Sequence, residues 1–390
     1  MAAVKKKPKL ILHIGTCKTG TSAIQACLAK NQKFLSDNKI CYSEFHESNN
    51  FHLNLTLGLI REYFEKEGMP GAAPVDIPLG TIPVTSALYS RAPADIVTKM
   101  KDKFYENGCD TMVISDECLF ESTIWWLFPS GLNTESLLNG RRDYVIGYFK
   151  EAFCEFDIKI VCYLRRQDDY IESLYNQWVK GINGELYDII FNNPSAKENK
   201  FKTDEVSAPN IHMAKFVNGT LDADYYAHLS EWAAVYGKEN IIVKIYEKSR
   251  FPRGAEYDFL TDILGFDDNS LAGLKLNEEV NAGFIKDIIE YKTASRLFDF
   301  AREIYALNDA PALSYLRANN KKNILTAKQS SEILEYYKKS NEKIAIEYLH
   351  RGDGALFTEK PREEKDDYPG LSLQAALDIS GELIRGLKRK

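Results

Sequence analysis

The sequence predicts an α/β fold, a parallel sheet with helices on both faces, followed by a helical C-terminal extension. Short apolar runs alternate with longer segments of helical periodicity, the order that is typical of parallel sheets. Each run is almost continuously apolar, which indicates a strand buried on both faces. The predicted strands are 9–14, 111–115, 158–164 and 241–247. Ligands of such sheets bind at the carboxyl ends of the strands, so we expect the functional residues there.

Helical and irregular segments give the domain organisation. An α/β domain is predicted over 1–270, with insertions at about 68–92 and 184–222 that lack periodicity. Residues 271–358 are expected to form a helical part packed on it, and 359–390 a polar linker with a final helix. The predicted helices are 19–37, 93–107, 168–180, 223–236, 255–264, 278–306, 326–349 and 371–388. The last helix ends in the basic sequence LKRK, which would suit a homo-oligomer or peripheral membrane contact.

Length and composition exclude several classes of protein. The chain has 390 residues, of which 44% are hydrophobic and 27% charged, as in globular proteins. Its net charge of −6 argues against nucleic-acid binding, which needs a dense basic face. The seven cysteines have no C-x-x-C spacing, which disfavours disulfides and zinc and favours a reducing compartment. The apolar run after the N-terminal lysines is too short for a signal peptide, so we expect a cytoplasmic protein without a transmembrane segment.

The first strand runs into HIGTCKTGTS, residues 13–22. A strand, a glycine and a helix start aim free backbone N–H groups at an anion. A Walker A loop has its lysine after the second glycine, whereas Lys18 precedes Gly20 here. The loop is therefore a phosphate site that matches ATP with magnesium poorly. The residues expected to hold the anion are Gly15, Lys18, Thr19, Gly20, Thr21 and Ser22.

HIGTCKTGTSAIQ resembles the 5′-phosphosulfate loop of the sulfotransferases that use 3′-phosphoadenosine 5′-phosphosulfate (PAPS). The loop of that family reads close to P-K-[ST]-G-T-[ST], and Cys17 stands where the proline is usual. The family's second signature is an arginine at a strand end and a serine eight residues later, both on the 3′-phosphate. Arg165 follows the run 158–164, and Ser173 follows eight positions on. The alternative is that Arg165 and Arg166 pair with the neighbouring aspartates.

The resemblance implies transfer of a sulfuryl group from PAPS to a hydroxyl of a carbohydrate or glycoconjugate, as in bacterial carbohydrate sulfotransferases. Such a transfer depends on positioning and charge stabilisation. Lys18 would stabilise the leaving oxygen, and adenosine 3′,5′-bisphosphate would be the product. The donor carries less charge than a triphosphate, so no metal is required.

An acceptor hydroxyl needs a base, and the sequence leaves three candidates open. Glu117 directly follows the strand 111–115, so it should emerge at the carboxyl edge of the sheet. His52 and Glu44 lie in CYSEFHESNNFHLNLT, after the first helix. Members of the family place a histidine or a glutamate at the end of the strand that corresponds to 111–115. A histidine transfers protons at neutral pH unaided, whereas a glutamate needs burial; Glu117 is our first choice.

Fewer residues indicate the acceptor-binding site and the alternative functions. Trp125 and Trp126 follow Glu117 in the chain, and their flat rings suit sugar faces, although a packed lid or core is the alternative. Gln177, on the helix after Arg165, is expected to face acceptor or cofactor. A P-loop kinase of a small molecule or sugar is the second function, for which VISDE is the nearest match to a Walker B strand. A nonenzymatic nucleotide-binding or scaffold protein is the third.

Overall fold

The structure is a computed structural model. It describes residues 7–42, 52–69, 78–79, 82–83, 92–121, 135–181, 223–274, 276, 285–295 and 301–388. Glu44, Trp125, Trp126 and the expected insertion 184–222 lie outside the described residues.

The central sheet has five strands, and every neighbouring pair is parallel. The strands are β1 Lys9–Gly15, β2 Ile40–Tyr42, β3 Pro78–Leu79, β4 Ile82–Pro83, β5 Thr111–Ser115, β6 Asp157–Leu164 and β7 Ile241–Ile245. The sheet order is β2-β5-β1-β6-β7, and β3 and β4 form a separate antiparallel hairpin. The four predicted strands are confirmed. The strand β2 has only three residues, too few to give a pattern.

Helices cover both faces of the sheet. In chain order they are α1 Thr21–Lys30, α2 Gln32–Asp37, α3 Leu53–Lys66, α4 Pro93–Glu106, α5 Cys118–Glu121, α6 Glu135–Ala152, α7 Gln167–Gly181, α8 Tyr225–Tyr236, α9 Ala255–Asp258, α10 Lys286–Ser295, α11 Ala301–Leu307, α12 Ala327–Glu347 and α13 Leu373–Lys388. Leu10, Leu12 and Ile14 of β1 pack in the core formed with α3, α4, α6, α7 and α8. Ile11 packs in the opposite core with α1, α2 and α9. The predicted fold class is confirmed.

The predicted helix 19–37 is two helices, because the chain breaks at Asn31. The Asn31 side-chain amide donates to the carbonyl of Cys27 at 2.8 Å, and its backbone N–H reaches the same oxygen at 3.2 Å. These bonds satisfy the carbonyl of Cys27 near the end of α1 and let the chain turn into α2. The helices α3 and α6 were not predicted.

The segment 358–362, which we call the C-terminal strap, is bound to the α/β domain. Buried Glu247, just after β7, accepts hydrogen bonds from the Thr358 hydroxyl at 2.7 Å and from the Glu359 N–H at 3.0 Å. Arg166, at the end of β6, donates to the carbonyl of Lys360 at 2.9 Å. The strap therefore joins the ends of two sheet strands.

Arg362 ends the strap and pairs with three acidic side chains of α7. Its guanidinium lies 3.0 Å from Asp168, 2.6 Å from Asp169 and 2.6 Å from Glu172. Lys286 of α10 adds a 2.9 Å contact to Glu172. These acidic residues hold the strap and the helical part against α7.

The last helix, α13, buries one apolar face and exposes another. Ala375, Ile379 and Leu383 are buried. The exposed apolar residues, spaced so that they share one face, are Leu373, Leu377, Ile384 and Leu387. In the part of the chain that the structure describes, no helix has the length and apolarity that crossing a bilayer requires.

Candidate active site

Hydrogen bonds of its own threonines stabilise the loop after β1. Thr16 donates its N–H to the carbonyl of Tyr163 in β6, at 2.9 Å. The hydroxyls of Thr19 and Thr21 donate to the carbonyl of Thr16, at 2.6 and 3.1 Å. Both threonines are buried, whereas Ser22 is exposed. The Thr19 and Thr21 hydroxyls therefore shape the loop here, and their role as phosphate ligands stays a prediction.

Two glycines allow close approaches at this loop. Gly20 has φ +84°, and a Cβ there would lie 2.7 Å from Cβ of Ala255. Gly15 has φ +109°, and a Cβ there would lie 3.0 Å from Cα of Glu117. Both positions need glycine, because a side chain would clash and φ is positive. Gly15 thus lets the backbone of Glu117 pass directly beside the end of β1.

Lys18 and Gln177, predicted separately, lie together. The half-buried ammonium of Lys18 donates to Oε1 of Gln177 at 2.7 Å. Burial lowers the pKa of Lys18; the charge of Glu117 raises it, and Arg165 lowers it further. Ser173 lies one turn before Gln177 on α7, so both share a helix face. That face is the one turned toward the loop.

Arg165 lies against the same loop. Its Nη1 donates to the carbonyl of Lys18 at 3.1 Å, and its guanidinium lies 6.0 Å from the ring centroid of Tyr246. The phenol of Tyr225 fixes the Arg165 backbone by donating to its carbonyl at 2.9 Å. Arg166 behaves differently, because its Nε lies 2.7 Å from Asp168. The alternative that the sequence left open, pairing with a neighbouring aspartate, is therefore observed for Arg166.

Glu117 is half-buried on the other side of the loop, where its Oε2 accepts a 2.8 Å hydrogen bond from Nε2 of Gln25. Burial raises the pKa of Glu117, against the opposing effects of the Gln25 bond and the charge of Lys18. A carboxyl with a raised pKa can take up a proton nearer neutral pH, and this one lies next to the loop that is predicted to bind an anion.

His52 lies close by but is completely buried. It precedes α3, and its Nδ1 accepts from the N–H of Ser115 at 3.1 Å. Its ring contacts Tyr42 edge-on, with centroids 5.1 Å apart. This is the environment of a packed residue that ties α3 to the end of β5, so access to an acceptor is poorer than for Glu117. Its role as base stays a prediction.

Further side chains lie at the site. Gln25 contacts Glu117 after β5, His13 contacts Ser115 at the end of β5, and the Tyr246 ring lies 3.3 Å from where a Gly20 Cβ would be. Asp116 is fully buried: its Oδ1 accepts from the Cys118 N–H at 2.9 Å, and Thr56 donates to its Oδ2. Burial, together with the charge of Glu117, raises the pKa of Asp116 to about 7. His13 and Gln25 lie in the motif HIGTCKTGTSAIQ and Asp116 in VISDE, but these motifs do not predict the contacts that the residues make.

No group of three or more His, Cys, Asp or Glu side chains suited to a metal ion occurs among the described residues.

This chain is similar to an uncharacterized protein and to a solved structure. No family model matches the chain. An uncharacterized protein of Archaeoglobus fulgidus is 27% identical over 253 residues, which are 63% of this chain and 62% of that protein; the chain thus spans less than two thirds of that relative. A crystal structure of a sulfotransferase from Alicyclobacillus acidocaldarius aligns with 80% of this chain and 99% of its own, at 16% identity and a TM-score of 0.38. A TM-score this low does not support a shared function, so the function is inferred from the residues of the site.

Proposed function

We propose that this chain is a sulfotransferase that moves a sulfuryl group from PAPS to a hydroxyl of a carbohydrate or glycoconjugate. One observation carries the proposal: the guanidinium of Arg165 contacts the backbone of Lys18 inside the phosphate loop. Two cationic side chains from different strand ends therefore meet at one loop. A donor with phosphate on both its 5′ and 3′ oxygens requires two such groups.

The residues present fit that donor. The loop with Lys18 would hold the 5′-phosphosulfate, since the N-terminus of α1 favours anions. Arg165 would bind the 3′-phosphate through its planar fork, with Ser173 on the face of α7 turned to the same loop. The half-buried ring of Tyr246, beside Gly20 and Arg165, offers an aromatic surface near both phosphates.

The proposed transfer uses Lys18 and Glu117 from opposite sides of the loop. The acceptor oxygen forms a bond to sulfur as the bond from sulfur to the bridging phosphate oxygen breaks. Glu117 takes the acceptor proton, and the Lys18 ammonium stabilises the charge that grows on the bridging oxygen. Gln177, which bonds Lys18, together with Trp125 and Trp126, would contact the acceptor.

A P-loop kinase is the rival, and the position of Asp116 disfavours it. A Walker B aspartate holds magnesium from a strand end. Here the only aspartate of VISDE is buried and is bonded to Thr56 and to the Cys118 N–H. We therefore propose a reaction that requires no metal.

We also propose a cytoplasmic location, since the cysteines suit a reducing compartment. The exposed apolar face of α13, with Arg385 and Lys388 nearby on the same helix, is where a second copy or a membrane surface would dock.

Ligand-induced stabilisation tests the donor. Adenosine 3′,5′-bisphosphate at 100 times its dissociation constant should stabilise the fold by about 2.7 kcal/mol, a rise in Tm of about 3 °C for a chain of this length. We expect this rise without metal, measured by differential scanning fluorimetry. A rise that occurs only with ATP and magnesium would instead support the kinase.

Arg165→Ala should separate the two phosphate sites. Affinity for adenosine 3′,5′-bisphosphate should fall by about 10- to 150-fold, since a hydrogen bond to a charged group is lost. Adenosine 5′-monophosphate lacks the 3′-phosphate, so its affinity should change little. Calorimetry of both nucleotides gives the comparison, with Arg385→Ala on α13 as the matched control. Equal losses for both nucleotides would mean that Arg165 acts only by supporting the loop.

A further inference from the structure

Gln25 is buried on α1, four residues into the helix that follows the phosphate loop. Its Nε2 donates to Oε2 of Glu117 at 2.8 Å and lies 3.3 Å from Oγ of Ser115, within reach of a second bond. A carboxylate only accepts hydrogen bonds, so the amide nitrogen, not its oxygen, must face Glu117. The side chain is 2% exposed, so bulk water does not compete for these bonds.

The hydroxyl of Ser115 is itself held by His13 of β1. Oγ of Ser115 lies 2.8 Å from Nδ1 of His13. The imidazole is fully buried and lies edge-on to Tyr163, with centroids 5.6 Å apart. Burial lowers the pKa of His13 to about 3, so the ring is neutral. Oγ of Ser115 has two lone pairs, so it can accept a bond from Gln25 whichever tautomer His13 adopts.

These contacts make one chain of hydrogen bonds. Nε2 of Gln25 donates one N–H to Glu117 and the other to Ser115, and the Ser115 hydroxyl contacts Nδ1 of His13. Three elements contribute, α1, β1 and the end of β5, and none of the groups except Glu117 carries a charge. Because these contacts are buried, they restrict the orientation of each member.

We propose that Gln25 is a positioning residue for the carboxylate of Glu117, held in its own place by Ser115 and His13. The inference rests on the proposed function, in which Glu117 is the base. Fixing one carboxylate oxygen removes rotation about the terminal bond and keeps the group aimed beside the loop, which a loosely held glutamate would not do. The bond also favours the ionised carboxylate, the form that acts as base.

The test measures the titration of Glu117 directly and needs no enzyme assay. Gln25→Met keeps the length of the side chain but has no N–H, and Gln25→Leu is a second variant in case the first does not melt cooperatively. Loss of the bond should raise the pKa of Glu117 by about 1 to 2 units. The carboxyls are followed by ¹³C NMR with glutamate labelled at Cδ, and the Glu117 signal is the one missing from Glu117→Gln.

Two controls isolate the effect. Gln32→Leu removes a glutamine at the start of α2, the helix that follows α1. This substitution should leave the titration of Glu117 unchanged. Ser115→Ala removes the hydroxyl but keeps the bond from Gln25 to Glu117, so the upward shift should be smaller than in Gln25→Met.

The outcomes of the titration and of the transfer assay distinguish this inference from the proposed function. An upward shift in Gln25→Met, with the acid limb of the pH–rate profile for sulfuryl transfer displaced equally, supports both. The shift without any transfer from PAPS by the wild type supports the positioning role and rejects the function. An unchanged titration in a folded Gln25 variant overturns the inference, whether or not the enzyme transfers sulfate.

Discussion

Replacing Glu117 by glutamine should lower the turnover of sulfuryl transfer by about 10²- to 10⁴-fold, the usual contribution of a general base. Glutamine keeps the shape of the side chain, and its oxygen can still accept from Gln25. Affinity for adenosine 3′,5′-bisphosphate should therefore stay nearly unchanged. Steady-state rates give the first quantity and calorimetry the second.

The pH dependence of the transfer rate is a second measurement of the role of Glu117. Burial raises the pKa of Glu117, and a base must be deprotonated to act. The wild-type rate should therefore fall as the pH drops through that pKa, and this acid limb should vanish in Glu117→Gln. His52→Ala is the comparison, provided that it still melts cooperatively. A collapse of the rate in that variant, with Glu117→Gln losing less than about tenfold, would transfer the role to His52.

Arg362→Ala should destabilise the fold by about 3 to 5 kcal/mol, the cost of removing one partner from a buried ionic group. The guanidinium is 6% exposed and contacts Asp168, Asp169 and Glu172. Without it, these carboxylates keep only Arg166 and Lys286 as cationic partners among the contacts described. Urea unfolding measures the loss.

The loss should depend on pH. Burial acts to raise the pKa of Asp168 and Glu172, but bonds and charges from Arg166, Lys286 and Arg362 outweigh it and lower both values. A lowered pKa stabilises the fold above the unfolded value and loses this effect as pH falls through the folded value. The difference between wild type and variant should therefore shrink below about pH 4.

A surface arginine provides the control for this measurement. Arg385→Ala breaks an exposed pair with Glu382 and should cost about 1 kcal/mol or less. If Arg362→Ala costs no more than Arg385→Ala, the strap contributes nothing to stability and our view of its role is wrong.

The sequence predicted features that consecutive residues determine. Buried parallel strands appear as unbroken apolar runs, so β1, β5, β6 and β7 were found within two residues at each end. The loop that is predicted to bind phosphate is also a run of consecutive residues, 13–22. The helix α6 was missed because it contains Gly140, a poor helix former. A Cβ at Gly140 would lie 2.4 Å from the phenol oxygen of Tyr63, so packing selects the glycine against helix propensity.

Contacts between distant residues could not be predicted. The bond from Gln25 to Glu117 joins residues 92 apart in sequence, and that from Arg362 to Asp169 joins residues 193 apart. The sequence shows the hydroxyls of Thr19 and Thr21 but not their partner within the protein, which in the fold is the carbonyl of Thr16.

The C-terminal strap has a consequence for synthesis on the ribosome. Asp169 is made 193 residues before the arginine that neutralises it, a delay of roughly 10 to 40 s at ordinary elongation rates. During that interval the nascent chain holds a complete phosphate loop but an acidic first turn of α7 without its main counter-charge. Arg165 lies two residues before α7, and Ser173 and Gln177 lie on it, so docking of the strap completes the support of the helix that carries residues expected to bind the ligands. Nucleotide binding by the nascent chain should therefore come late, after residue 362 has left the exit tunnel.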